Sequence, residues 1–146
     1  MQRAPIVLWS RLLAALCLAI ALSAHAAGVS KADTQKIRTV IQAQLAAFAA
    51  DDAKRAFSYA APKIREMFGT PDRFLEMVRQ GYPVVYRPAS VTFLTPEGAK
   101  GSVIQAVEMA DATGGLWTAV YSMERQRNGA WHINGCELLP REGRAI

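Results

Sequence analysis

Apolar residues recur at three- and four-residue steps through the first half of the chain and at two-residue steps through the second. Ile37, Val40, Ile41, Leu45 and Phe48 draw one stripe along a helix from Asp33 to Ala50. Asp33 is the expected N-cap, because its carboxylate can accept from backbone N–H groups that have no partner within the helix. Asp51 and Asp52 end that helix and cap a second, Ala53 to Ala61, which Pro62 closes. A third helix runs from near Pro62 to Gly69. Thr70-Pro71-Asp72 opens a fourth, with Thr70 as N-cap and Pro71 at the first helical position. Phe74, Leu75 and Val78 give it a core face, and Gly81 stops it.

The pattern changes at Tyr82-Pro83-Val84-Val85-Tyr86-Arg87-Pro88, where two prolines with aromatic residues between them favour extended backbone. Segments of strand character follow. Ser90 to Thr95 is bounded by the turn residues Pro96-Glu97-Gly98, and Ser102 to Ala110 by Asp111 through Gly115. Leu116 to Arg125 leads through Asn128-Gly129 to Trp131–Leu139, which ends before Pro140. Asn-Gly is a hairpin dipeptide because both residues tolerate positive φ. Helices first and an antiparallel meander second predict an α+β fold, with helices packed on a sheet of about four strands.

Strand alternation assigns the faces of that sheet. Trp131, Ile133, Gly135 and Glu137 share one side; His132, Asn134, Cys136 and Leu138 share the other. In the preceding strand Trp117, Ala119, Tyr121 and Met123 make the core side. A bulge at Gly135 would reverse the parity beyond it.

The N-terminus obeys a different rule. Arg3 and Arg11 precede an apolar run, Leu12 to Leu22, which leads to Ser23-Ala24-His25-Ala26-Ala27. A positive end, a short hydrophobic stretch and an Ala-x-Ala arrangement are the order of a secretory signal peptide. The run is eleven residues long, whereas a membrane span needs roughly 20. Residues 1–26 are therefore expected to be a removable signal, with Ala27 the next choice of boundary, and residues 27–146 a single domain. The expected compartment is the periplasm or the exterior, and no membrane association is expected once the signal is gone. Cys17 follows Leu16, where a lipobox would need a small residue, so no lipid anchor is expected.

Cleavage changes the composition. Of 146 residues 120 remain, the size of one ordinary domain. Without Arg3 and Arg11, the 17 basic and 12 acidic residues become 15 and 12. The remaining cations are scattered, which argues against nucleic acid as a partner, since that leaves a clustered basic footprint. Cys136 is the one cysteine left, so no intrachain disulfide is expected even though the compartment would permit one.

The stretch Phe68-Gly69-Thr70-Pro71 through Met77-Val78-Arg79-Gln80-Gly81-Tyr82-Pro83 resembles an uncharacterised bacterial family, domain of unknown function 4864. Val85-Tyr86-Arg87-Pro88 and the final Trp131-His132-Ile133-Asn134-Gly135-Cys136 continue the likeness, which covers roughly Thr39 to Leu139. Val84 stands where the family pattern has a second proline. More widely, a helical half followed by a curved meander ending in Trp-x-Ile resembles the nuclear transport factor 2-like, or cystatin-like, superfamily. The resemblance implies a cone-shaped α+β fold and an exported small protein; it implies no activity, because fold does not fix function.

In an enzyme of that superfamily, an isomerase or dehydratase, His or a carboxylate stands inside the cone. Glu137 is the leading catalytic candidate, because its parity puts it with Trp131 and Ile133. The favoured reading of Glu137 is nevertheless a strand-end residue in water or paired with Arg87 or Arg141. His132, the one histidine left after cleavage, is the other catalytic candidate, but it falls on the opposite face and reads more readily as an exposed sheet residue. With no His–His or His–Cys cluster, no metal site is expected, and no cofactor. Cys136 reads as an inert buried thiol. Tyr82, Tyr86 and Arg87 form a stiff segment between prolines: either a rim for an anion or peptide, or a structural crossover. Together with Trp117, Tyr121 and Trp131 they make up the expected ligand-binding set. The leading expectation is a non-enzymatic domain that binds a small ligand or a periplasmic partner protein. The isomerase or dehydratase is the alternative, and a homodimer packed through the open sheet face is a third.

Overall fold

The computed structural model describes residues 28–144, so the expected signal peptide and its cleavage site lie outside the described residues. Among the described residues, five helices precede five strands in chain order: α1 Lys31–Ala49, α2 Ala53–Ser58, α3 Pro62–Phe68, α4 Pro71–Gly81, α5 Pro83–Tyr86, β1 Ser90–Phe93, β2 Glu97–Ala99, β3 Ser102–Ala110, β4 Gly115–Arg125 and β5 Trp131–Arg144. Helices lie on one antiparallel sheet, the α+β arrangement that the change of period predicts. None of the described helices is long and apolar enough to cross a membrane.

The expected stripe of α1 is buried, with Ile37, Ile41, Leu45 and Phe48 in the core and Gln44 among them. Its cap is Ser30 and not Asp33: the Asp33 amide donates to Ser30 Oγ at 3.1 Å. Asp33 sits one turn in, where negative charge suits the N-terminal dipole. Its carboxylate accepts from Trp131 Nε1 at 3.1 Å and pairs with Arg125. The helix start is thereby tied to the last hairpin, 98 residues away.

Asp52 and Thr70 cap α2 and α4 as expected, each accepting from the amide three residues on. Helix α2 ends at Ser58, short of Ala61, because Ala60 and Ala61 leave the helix to meet β5: the Ala61 amide donates to Ile133 O and the Ile133 amide to Tyr59 O, both at 2.8 Å.

The segment after α4 is a helical turn, not extended chain. Pro83 occupies the first position of α5, where its missing N–H and fixed φ cost nothing. The amides of Val85 and Tyr86 both donate to Tyr82 O. The turn drives Val84 and Val85 into the core, each 3% exposed.

The sheet runs β1-β3-β4-β5, with β2 also on β3. Strands β1 and β2 pair with successive stretches of β3, so they form one interrupted edge. Pro96-Glu97-Gly98 is thus partly strand and not a turn alone. Gly98 makes the close approach possible: a Cβ there would lie 2.4 Å from Ser102 O.

Strand β5 carries the decisive irregularity. Ile133 pairs with Met123, yet Gly135 pairs with Ser122, leaving Asn134 as an extra residue. This is a β-bulge one position before Gly135, and it reverses the alternation beyond it. Trp131 and Ile133 face the helices before the bulge, and Cys136 packs on the core after it. Beyond Cys136 the strand runs to Arg144 through Pro140, opposite Trp117, which an edge strand tolerates.

The β3–β4 turn is held by one carboxylate. Asp111 Oδ1 accepts from the Thr113 amide at 2.9 Å, Thr113 Oγ1 at 2.8 Å and the Gly115 amide at 2.8 Å, and Oδ2 accepts from Trp117 Nε1 at 3.0 Å. The Trp117 bond first, then Thr113 and Gly115, hold this carboxyl near pH 2, below its ordinary 3.8. A carboxyl depressed in the folded state adds stability above about pH 4, and that stability is lost as pH falls toward 2. Urea midpoints of wild type and Asp111→Asn should therefore differ most at neutral pH and converge between pH 4 and pH 2. A gap that stays constant with pH would show that this carboxyl does not clamp the turn.

Candidate functional site

Between the helices and the sheet, the described residues enclose an apolar cavity of about 230 Å³. Its floor is Tyr121 of β4 with Ile133, Gly135 and Cys136 of β5. One wall is Gln44 and Phe48 of α1, the other Phe74, Met77 and Val78 of α4. Ile64, Met67 and Phe68 of α3 form the outer rim with Tyr82, and the buried Val85 lines the interior. Helix α3 buries none of its residues, and Met67 is 64% exposed, so this side of the cavity is open to solvent.

Aromatic packing shapes the wall. Phe74 lies 5.9 Å from Phe48, 5.4 Å from Phe57 and 5.6 Å from Phe68, all tilted or edge-on. Such pairs add roughly 0.5–1.5 kcal/mol each beyond their buried area.

Four polar side chains interrupt the lining: Tyr82 at the rim, and Gln44, Tyr121 and Cys136 deeper in. Gln44, 3% exposed, donates from Nε2 to Ala56 O at 3.1 Å, which fixes its amide plane. Tyr121 is 1% exposed, and its hydroxyl has no hydrogen-bond partner among the described residues. An unpaired buried hydroxyl costs on the order of 1–3 kcal/mol. The thiol of Cys136 sits beside it. Burial pushes the Tyr121 hydroxyl well above the ordinary phenol range, with the Cys136 thiol as a smaller cause. Burial likewise pushes the Cys136 thiol up to about 12. Both groups are neutral at physiological pH, and no Asp, Glu, His, Lys or Arg lines the cavity.

The candidate residues from the sequence are dispersed. Tyr82 and Tyr121 meet in this cavity. Glu137 does not: the Asn134 bulge turns it to the exposed outer face, opposite Val120. Nor does it find the expected partners, since Arg141 pairs with Glu108 at 3.2 Å and Arg87 with Asp51 at 3.3 Å.

Tyr86 and Arg87 lie at the surface on Asp51, whose carboxylate also accepts from the Tyr86 hydroxyl; the Arg87 guanidinium lies 4.7 Å from the Tyr86 ring centre. Trp117 and Trp131 spend their indole N–H groups on Asp111 and Asp33. Trp131 and His132 line a separate open groove against α1. His132 pairs across the sheet with Glu124, on the outer side that its parity predicts. Burial first, then nearby Arg65, lowers its pKa from the usual 6.5.

Sequence reasoning missed Gln44, Phe48, Phe74 and Met77 as cavity residues. Gln44 left a signal, a polar side chain within the buried stripe of α1. The others read simply as core. No cluster of three or more His, Cys, Asp or Glu suited to a metal occurs among the described residues.

This arrangement defines an α+β domain with an uncharged cavity between its helices and its sheet. The chain belongs to the family described as Domain of unknown function (DUF4864), which it matches over residues 30–146. It is also similar to the crystal structure of an NTF-2 like protein of unknown function from Burkholderia xenovorans LB400. That similarity has 18% identity and a TM-score of 0.45, covering 77% of this chain and 88% of the other. No curated protein matches it.

The raised thiol makes a direct prediction. At pH 8 a pKa near 12 leaves about a thousandth or less of the thiolate that a free cysteine carries. Cys136 in the folded protein should label with iodoacetamide at least a hundredfold more slowly than in urea, read by mass spectrometry of its peptide. Equal rates would mean that the thiol is not buried on the cavity floor.

Proposed function

We propose that this protein is an exported, non-enzymatic domain that binds a small apolar or amphipathic ligand in the cavity between α3, α4, β4 and β5. The observation that carries the reading is the cavity: about 230 Å³, open to solvent on one side, walled by aromatic and methionine side chains, and without a charged side chain in its lining. Sites for small molecules are concave, mostly apolar and provided with a few placed polar groups. Export rests on the N-terminal Arg3/Arg11, Leu12–Leu22 and Ala24-His25-Ala26 pattern. An isomerase or dehydratase built on Glu137 loses its base, because that carboxylate faces away from the cavity.

Native mass spectrometry of protein purified from the periplasm should show a retained small molecule, released by Met77→Trp, whose indole would fill the cavity from the α4 side. Protein that carries no adduct, and whose stability no apolar compound raises, would contradict the reading.

A second copy of the chain on the outer face of the sheet is a second reading. Ile104 and Leu139 favour it, 44% and 45% exposed on strands β3 and β5. Sedimentation should then give a dimer that Ile104→Glu dissociates, whereas a wild-type monomer dismisses the idea.

A further inference from the structure

We propose that the groove between the first half of α1 and the break in the sheet edge is a second binding site, which takes a small carboxylate with an apolar body on Arg38. The site goes beyond the cavity reading and does not rest on it, since the two share no lining residue.

One charge is out of place. Every other lysine and arginine among the described side chains is exposed, whereas Arg38 is half-buried. Charges drawn out of water are normally paired. Here the order is reversed. The ion pairs among the described residues belong to the exposed Arg79, Arg87, Arg125 and Arg141, and Arg38 has none. Its Nε is enclosed without a partner. No bond to another described residue occupies its two terminal nitrogens, and these are not enclosed, so they reach solvent where Arg38 lines the groove.

The surroundings hold this guanidinium ready. Arg38 follows Ile37 at the margin of the buried stripe of α1, and its head lies over Phe93, 5.2 Å from the ring centre. Stacking fixes the plane of the guanidinium and spends none of its N–H donors. The opposite wall is equally fixed. The sheet edge breaks between β1 and β2 at Leu94, Thr95 and Pro96. Gln105, 1% exposed, ties that break to β3, its Nε2 donating to Leu94 O and to Ala106 O, both at 2.8 Å. Walls set before the ligand arrives lose little freedom on binding.

Charge and shape decide the chemical class. A free guanidinium fork matches a carboxylate or a phosphate. The groove supplies one cation and no carboxylate, and its other polar side chains are the hydroxyls of Thr34 and Thr95. A doubly charged phosphate would leave one of its charges without a counter-ion, whereas a carboxylate is matched one to one. The body of the ligand lies on Val29, Leu94 and Pro96, where Leu94 is 40% exposed. At about 330 Å³ the groove stands at the lower end of the roughly 300–1,000 Å³ typical of small-molecule sites, which suits one ring or a short chain.

The test titrates benzoate, benzamide and phenyl phosphate into the folded protein and follows amide shifts. Benzoate should move Thr34, Arg38, Leu94 and Thr95. It should bind at least about tenfold more tightly than benzamide, which has its shape without its charge, and more tightly than phenyl phosphate. Arg38→Gln removes the charge and should bring benzoate down to the affinity of benzamide. Arg38→Lys keeps the charge without the fork and should still weaken benzoate at least about threefold. If Arg38→Gln does not fold, the wild-type ratio and Arg38→Lys decide.

Equal affinity for benzoate and benzamide in wild type would overturn the proposal, as would a benzoate advantage that survives in Arg38→Gln or is undiminished in Arg38→Lys. Phenyl phosphate binding more tightly than benzoate would overturn the carboxylate as the ligand. Shifts confined to Met77, Tyr121 and Cys136 would place the ring in the cavity, overturning this site and leaving the cavity reading standing.

Discussion

The extra residue in β5 sets the character of the interior. Register is a two-state property of a strand: a side chain faces the core or it faces water, and one inserted residue exchanges the two for everything that follows. With Asn134 left out of the ladder, Tyr121 stands opposite Cys136 and Val120 opposite Glu137. Without it, Tyr121 would stand opposite Gly135, and Glu137 would turn inward opposite Ala119. The bulge turns Glu137 outward, puts Leu138 in its stead opposite Ala119, and brings the Cys136 thiol opposite Tyr121 in place of Gly135. It also stands where Ala60 and Ala61 leave α2 to bridge Ile133, so the helical layer and the strand irregularity are fixed at one point.

The chemistry available to the cavity follows from that exchange. A buried carboxylate beside an apolar wall would have its pKa raised and could move protons. The thiol and phenol that the interior does hold, both driven further toward their neutral forms by burial, cannot at physiological pH. They offer hydrogen bonds and shape. Charged groups of this protein work elsewhere. Asp33 with Trp131 and Arg125 ties α1 to the hairpin, Asp111 with Trp117 locks a turn, and Asp51 with Tyr86 and Arg87 fastens the exit of α5.

Much of this was legible in residue order. The three- and four-residue stripe of Ile37, Ile41, Leu45 and Phe48 marked a buried helix face, and Thr70-Pro71 marked a helix start. The change of period after Arg87 separated helices from sheet. What misled was local. Pro83-Val84-Val85-Tyr86 carries two prolines nearby, a sign of extended chain, yet a proline at the first position of a helix is equally at home there. Gly135 pointed to the bulge but not to its position: the residue that leaves the ladder is Asn134, next to Ile133, which bridges Ala60 more than 70 residues away. Every parity assignment beyond it, Glu137 included, inherited that ambiguity. Tryptophans drew attention as cavity walls, but their indole N–H groups found carboxylates first. Cavity walls made of Phe48, Phe74 and Met77 look the same in sequence as a filled core.

The register of β4 against β5 is therefore the quantity to measure, by cross-strand Hα–Hα and amide nuclear Overhauser contacts in the labelled protein. The account predicts contacts between Met123 and Ile133 and between Tyr121 and Cys136, with Asn134 lacking a partner across the strand. Contacts between Tyr121 and Gly135 and between Ala119 and Glu137 would contradict it, placing a carboxylate in the interior and restoring the case for acid–base chemistry there.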